Sequence, residues 1–137
     1  MIQPTISLPP LDEVARHWHE AEPIIRRATD RSGSYEPIDL LTLAFHGRMA
    51  IWFVRLDGEL IAVAVTEIRQ FPRNRVLQIP FIAGRFMSAW HRPLLAALEV
   101  HAKDAGCSCL QGFDRRGWGR VANFAETGVI LERKVNV

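Results

Sequence analysis

The sequence predicts a mixed α/β fold, in which a central mixed sheet carries helices on both faces. Apolar residues recur at three- and four-residue steps from Leu11 to Thr29 and again from Ser88 to Asp104, as in helices that pack on a core. Between these segments, strand-forming residues fill 49–56, 60–70 and 75–83, with turn residues separating them. This change from a helical pattern to strands and back to a helical pattern predicts the fold class.

Length and composition fit one globular domain, so we assign residues 1–137 to a single domain. The 17 basic and 15 acidic residues give a net charge of +2, and this balance argues against a nucleic-acid-binding protein. Residues 1–10 lack a basic segment followed by an apolar run, and no apolar run reaches the length of a membrane span. We therefore expect a cytoplasmic protein with no membrane association.

The N-terminal part predicts an arm and helices. Residues 1–10 end in two prolines and are expected to form an extended arm. The helical pattern from Leu11 to Thr29 contains Pro23, where we expect a break or a second short helix, because proline lacks the N–H that continues a helix. A further short helix is expected over 36–46.

The middle of the chain predicts an antiparallel meander of three strands. Asp57-Gly58 separates the first two apolar runs and is the strongest hairpin signal in the sequence. A second turn is expected at 71–74, before the third strand.

The C-terminal half predicts a crossover. A helix with Ser88 as its N-cap and Gly106 as its stop is followed by a strand over 107–113. Because a helical crossover joins parallel neighbours, this strand should run parallel to 75–83. A short helix over 117–126 and a last strand over 129–137 complete the order.

This order of elements resembles the GNAT superfamily of acetyl-CoA-dependent acyltransferases over nearly the whole chain. The part from Trp90 on, with its helix end at 102–107, the run 116–120 and Gly128, is similar to short GNAT-like proteins of tailed bacteriophages, often encoded near virion-assembly genes. The resemblance implies an acyl-CoA-dependent N-acetyltransferase acting on a small amine or a protein. The alternative is a non-catalytic phage assembly or protein-interaction module on the same fold, in the host cytoplasm or the virion.

The resemblance also implies a site for acetyl-CoA. In GNAT enzymes the strand before the long helix splays from its neighbour, the pantetheine fills the gap, and the pyrophosphate binds backbone N–H groups at the helix start. The family motif Gln/Arg-x-x-Gly-x-Gly/Ala has its nearest match at 81–86, where Gly84 fits and Phe81 and Phe86 depart from it. Phe86 is accommodated in such a site if its ring turns into the core. If the ring instead covers the N–H groups, the site is closed and the protein is a binding module. The residues implied for cofactor binding are Ile82, Gly84, Arg85, Ser88 and Arg92.

Two residues are candidates for the catalytic base that the resemblance requires. Glu67 lies on the second strand of the meander, and His91 lies in the first turns of the long helix. The alternatives are a solvent-facing strand residue and a cap or surface histidine. Many GNAT enzymes also use a tyrosine as the acid, but the single tyrosine of this chain, Tyr35, lies in the N-terminal loop.

Residues 114–120 form an unusual turn with three arginines, one tryptophan and two glycines. Arginine pairs bidentately with phosphate or carboxylate, and an indole stacks on planar groups, so this turn is a candidate anion or partner site. In the alternative, the indole packs into the core and the arginines pair with Asp114 and Glu126. The partner would be another protein or a second copy of this chain. The residues of this candidate site are Arg115, Arg116, Trp118 and Arg120.

No metal site is predicted. His17 and His19 stand two apart on a helix and point in different directions. Cys107 and Cys109 have no second ligand pair at a suitable spacing, and we expect two free thiols.

Overall fold

The computed structural model of the chain describes residues 3–112, 124–125, 127–128 and 130–135. Each predicted strand of the meander differs from the observed one by a single residue at one end. In chain order the elements are β1 (Thr5–Ser7), α1 (Leu11–Arg16), α2 (Trp18–Ser32), α3 (Pro37–Phe45), β2 (Ala50–Leu56), β3 (Glu59–Gln70), β4 (Arg75–Gly84), α4 (Met87–Asp104) and β5 (Cys109–Gly112).

The five strands form one mixed sheet in the order β1-β2-β3-β4-β5. All neighbours are antiparallel except β4 and β5, which run parallel after the α4 crossover. The predicted fold class is therefore confirmed, including the parallel pairing of the strand that follows the long helix.

The β2–β3 hairpin has the turn that its sequence predicts. Asp57 has φ 53° and Gly58 has φ 81°, so both central residues adopt the left-handed conformation. Such turns match the right-handed twist of the flanking strands, and Asp-Gly tolerates them well.

The N-terminal arm is extended, as predicted, but it is also part of the sheet. Thr5 pairs with Arg55 and Ser7 with Phe53, which places β1 along the outer edge of β2. Three residues with little apolar periodicity gave no strand signal of their own, so only the partner strand defines this element.

The predicted break at Pro23 is wrong. The helical segment breaks at His17, whose N–H bonds to the Glu13 carbonyl at 3.1 Å, and α2 continues through Pro23. Ala21 and Ile25, on either side of the proline, are fully buried. Their packing stabilises the helix and outweighs the local cost of a proline within it.

The long helix α4 begins earlier than predicted. Its N-cap is Phe86, in the left-handed conformation, and Ser88 lies inside the helix. The Trp90 indole donates to the Arg85 carbonyl at 2.6 Å, a bond that fixes the helix start against the end of β4. The predicted stop is confirmed, since Gly106, with φ 79°, follows the C-cap.

The sheet has a core on each face. Ile25, Leu40, Phe53 and Val63 belong to the core under α2 and α3. The core under α4 has, among its buried members, Trp52, Leu77, Trp90, Leu94, Leu95 and Leu98. The packing of one apolar face of this helix on a core, which its sequence predicts, is confirmed.

The structure describes only part of the region in which the last helix and strand are predicted. Residues 130–135 are exposed and have no strand assignment, so the predicted last strand is not found there. Most of the predicted helix over 117–126 lies outside the described residues. Within the described part of the chain, no helix is long and apolar enough to cross a membrane.

Candidate active site

The described pairing between the two parallel strands stops before β4 ends. The last pair in their register joins Ile79 to Gly112, whereas β4 continues to Gly84 and leads directly into α4. Residues 80–84, which we call the open stretch of β4, therefore have no β5 partner among the described residues. A backbone edge with unpaired N–H and C=O groups can hydrogen-bond an extended ligand.

A bulge marks the start of this stretch. Val65 pairs with Phe81 and Glu67 with Gln78, so β4 has one more residue than β3 between these pairs. The additional residue falls at Ile79–Pro80, and Pro80 has no N–H to give to either neighbour. Bulges bend a strand and redirect its side chains, and they are frequent beside active sites.

Three polar side chains lie in line across the sheet at the level of the bulge. Gln78 pairs with Glu67 on β3 and with Gln111 on β5. Because Leu77 and Ile79 belong to the α4-side core, Gln78 and its two partners occupy the opposite, α2-side face. We call these three residues the polar row.

The polar row is partly shielded from solvent, and Gln78 is its buried member. Gln78 is 8% exposed, and its amide donates to the Gln111 side-chain oxygen at 3.2 Å. The Glu67 side chain is 13% exposed, so little of it faces solvent. Its carboxylate lies 3.4 Å from the Arg69 guanidinium.

Gly84 has a structural role at the end of β4. A Cβ at this position would lie 2.3 Å from the Ala62 Cβ and 2.6 Å from the Ile61 carbonyl oxygen. The Arg85 N–H donates to that same carbonyl at 2.9 Å. The glycine therefore permits close pairing with β3, and the Arg85 N–H is not available to a phosphate.

Phe86 does not turn into the core. Its side chain is 58% exposed, and its ring lies 5.5 Å from the Arg85 guanidinium. Arg85 also forms an ion pair with Glu59. The inward orientation of the Phe86 ring is thus not found. The surface beside the start of α4 instead carries this aromatic ring and an arginine that is already paired.

The start of α4 still has the elements of an anion site. The helix has no side-chain cap, and the first N–H groups of a helix have no partner within it. Ser88 and Arg92 are exposed on the first turns. His91 donates from Nδ1 to the Met87 carbonyl at 3.0 Å, which leaves Nε2 as the basic nitrogen of the neutral ring.

The other predicted site residues are not brought together with this helix start. Ile82 is 5% exposed and packs in the α4-side core, so only its backbone can face a ligand. Glu67 and His91 do not share a site, because the polar row lies six residues, or about 20 Å, along β4 from Gly84. The predicted partner or anion site at Arg115, Arg116, Trp118 and Arg120 lies outside the described residues.

An open cavity of about 400 Å³ adjoins Glu67 on the side of β2. We call it the edge cavity, because it lies where β3 extends past the start of β2. Its lining residues are Gly47, Arg48, Met49, Ala50, Thr66, Glu67, Ile68, Arg69 and His101.

Three features of the site were missed from the sequence. Gln78 and Gln111 are single polar residues within apolar strands. That pattern would have identified them as a pair if the register of the two strands had been known. Tyr35 contacts Phe81 edge to face, with ring centroids 5.3 Å apart, so it reaches the open stretch of β4 although it belongs to the α2–α3 loop.

These residues fit acetyl-CoA in part. The open stretch of β4 offers an edge for the pantetheine, and the uncapped start of α4, with Ser88 and Arg92, suits a pyrophosphate. Arg85 fits less well, because both its N–H and its guanidinium have partners within the protein.

No family model matches this chain, and no curated protein matches it. Solved structures do. A ribosomal-protein-alanine N-acetyltransferase from Brucella melitensis biovar Abortus 2308 superposes with a TM-score of 0.71 at 19% identity, over 96% of this chain and 99% of that one. The aminoglycoside N-acetyltransferase AAC(6')-Iy in complex with CoA superposes with a TM-score of 0.70 at 17% identity, over 98% of this chain and 96% of that one. A GNAT family acetyltransferase from Staphylococcus aureus superposes with a TM-score of 0.62 at 14% identity, over 94% of this chain and 99% of that one. The chain therefore has the fold of the GNAT acetyltransferases.

Proposed function

We propose that this protein transfers an acyl group from acyl-CoA to an amine. The observation that carries the proposal is the position of Glu67. This largely shielded carboxylate stands on β3 opposite Gln78, one residue before the last described β4–β5 pair, and a cavity adjoins its other side. A base between a cofactor gap and an acceptor cavity is the arrangement that amine acylation needs.

Each part of the chain has a defined task in this proposal. The open stretch of β4 aligns the pantetheine through backbone hydrogen bonds, and the first turn of α4 binds the pyrophosphate. Six residues of β4, about 20 Å, separate this helix start from the polar row, a span that an extended ligand arm can cover. Acetyl-CoA, when bound, supplies the activated thioester carbonyl.

Glu67 acts on the acceptor. Its carboxylate takes a proton from the acceptor ammonium and so frees the nitrogen lone pair for attack. A C–N bond then forms as the C–S bond breaks, and the departing sulfur takes up the second proton that the nitrogen loses. Gln78 and Gln111 position this face of the sheet through their mutual hydrogen bond.

The test is the rate of acyl transfer by the variant Glu67→Gln. We expect kcat to fall by about 10²–10⁴, the usual contribution of a general base, with little change in the Kd of acetyl-CoA. His91→Gln serves as the matched control, since His91 lies at the other end of β4. Full activity of Glu67→Gln combined with loss in His91→Gln would assign the base to His91 instead.

Phe86 favours a second candidate function, a non-catalytic interaction module on this fold. Its exposed ring stands at the N-cap of α4, where a phosphate must approach the backbone. Titration calorimetry with acetyl-CoA on the wild type and on Phe86→Gly separates the two functions. Binding by the wild type refutes the module, whereas binding by the variant alone indicates a lost enzyme.

The protein partner belongs to this second candidate. If neither protein binds acetyl-CoA, the turn with Arg115, Arg116, Trp118 and Arg120 is the surface to mutate in a search for a partner or for self-association. The bacteriophage origin, a role in virion assembly and the cytoplasmic location stay predictions.

A further inference from the structure

The edge cavity has the size and position of a small-molecule site. The β2–β3 register ends with Ala50 opposite Thr66, so residues 67–70 of β3 extend beyond β2. The cavity lies between this overhang and the loop that leads into β2, and its volume of about 400 Å³ is within the usual range for small ligands.

Positive charge exceeds negative charge in this cavity. Two guanidiniums, those of Arg48 and Arg69, line it together with one carboxylate, that of Glu67. Within the described part of the chain, the Arg48 guanidinium has no hydrogen-bond or ion-pair partner. Arg69 has Glu67 at 3.4 Å, which is longer than a strong charge-assisted hydrogen bond. Both arginines can therefore bind an anion without first losing a tight partner.

His101 adds a fixed donor. Its ring packs edge to face on Trp52 at 5.1 Å, and the Trp52 indole donates to Thr66 at 3.0 Å inside the core. An imidazole carries at least one N–H donor in either charge state. This donor is held in place by buried residues, so it costs little entropy to use.

The edge cavity is distinct from the expected phosphate site of the cofactor. His101 stands fourteen residues after Met87, about 21 Å further along α4. Phosphates bound at the start of the helix would not reach Arg48, Arg69 or His101.

From this arrangement we infer that the edge cavity binds the acceptor, and that the acceptor is an amine that also carries a phosphate or a carboxylate. The inference rests on the proposed acyltransferase function. The ammonium end pairs with Glu67, where its proton is taken, and the anionic end binds Arg48, Arg69 and His101. An acceptor without an anionic group forms no bond to Arg48, Arg69 or His101, and its binding is weaker.

Calorimetry on the wild-type protein without cofactor tests this inference first. The probes are O-phosphoethanolamine, β-alanine and ethanolamine, which share a primary amine and differ in the anionic group. We expect at least one of the two anionic probes to bind ten or more times more tightly than ethanolamine, and the tighter one identifies the group. Binding of the two anionic probes that is no tighter than that of ethanolamine overturns the inference.

Variants then locate the site. Arg48→Gln and Arg69→Gln, made singly and together, should weaken the anionic probe tenfold or more and leave ethanolamine unchanged. Arg73→Gln is the matched control, since Arg73 is an exposed arginine of the β3–β4 turn that does not line the cavity. An equal effect of Arg73→Gln shows a general charge effect and contradicts the site.

A transfer assay separates the inference from the function on which it rests. Tight binding of an anionic probe with no acylation of it in the presence of acetyl-CoA leaves the cavity assigned and refutes the transferase. Acylation of ethanolamine at the same kcat/KM as the anionic amines supports the transferase and refutes the inference.

Discussion

Gly84 is packed so closely against β3 that its lack of a side chain determines how β4 ends. A Cβ would lie 2.3 Å from the Ala62 Cβ, and the neighbouring atoms are backbone, which cannot move aside cheaply. We expect Gly84→Ala to lower the free energy of unfolding by about 1–3 kcal/mol, the cost of overpacking. Urea denaturation measures this change in the free energy of unfolding.

Gly112→Ala is the control for this substitution. In the described part of the chain, no atom lies within 4 Å of a Cβ built on Gly112, and the change should cost under about 0.5 kcal/mol. Equal costs at the two positions would mean that β4 and β3 separate easily at Gly84.

Glu20 gives a pH dependence. His17 donates a hydrogen bond to its carboxylate at 2.8 Å, and Arg55 lies 3.9 Å away, and together they hold the pKa of Glu20 below its ordinary value of 4.5. A carboxyl whose pKa is lower in the folded state stabilises the protein above its unfolded pKa, and this contribution is lost as the pH falls through the folded pKa.

The comparison of wild type with Glu20→Gln tests this effect. We expect the wild type to have the higher Tm at pH 6, with the difference shrinking as the pH is lowered from 5 to 3. The effect is small, because the carboxylate is partly exposed. A difference that does not vary with pH would mean that Glu20 contributes through packing alone.

At the scale of elements, α4 is the helix that the sequence describes best. Leu98 is fully buried in the core between α4 and the sheet. We expect Leu98→Ala to reduce the free energy of unfolding by about 2–5 kcal/mol, because the cavity left behind is only partly filled by its neighbours.

Val100→Ala is the matched control on the same helix. Val100 is 61% exposed, and its truncation should cost under about 0.5 kcal/mol. A cost below 1 kcal/mol for Leu98→Ala would show that the helix does not pack on the sheet as described.

For the whole molecule, acetyl-CoA binding should appear as a gain in thermal stability. A ligand bound only by the folded state at a hundred times its Kd stabilises by about 2.7 kcal/mol, which for a chain of this size is a rise of roughly 10 °C in Tm. ATP at the same concentration controls for nonspecific binding of a polyanion. No rise with acetyl-CoA, or an equal rise with ATP, would contradict a cofactor site.

Local patterns determined the fold class and most of the secondary structure. The Asp57-Gly58 turn, the bounds of the three meander strands to within one residue and the buried face of α4 were predicted, because each depends on residues close together in the chain. Glu67 was named as a candidate base through a family resemblance, and that role stays a prediction. The same local reasoning was wrong at Pro23, where the burial of Ala21 and Ile25 outweighs the helix-breaking tendency of proline.

Only the tertiary structure decided what surrounds the candidate site. The polar row joins residues from three strands, and the edge cavity joins Arg48, Arg69 and His101 from a loop, a strand and a helix. Gly84 was interpreted as part of a phosphate loop, but its neighbour Ala62 shows that it is needed for strand pairing. Contacts between residues far apart in the chain depend on strand register and helix packing, and a single sequence shows no periodicity that encodes them.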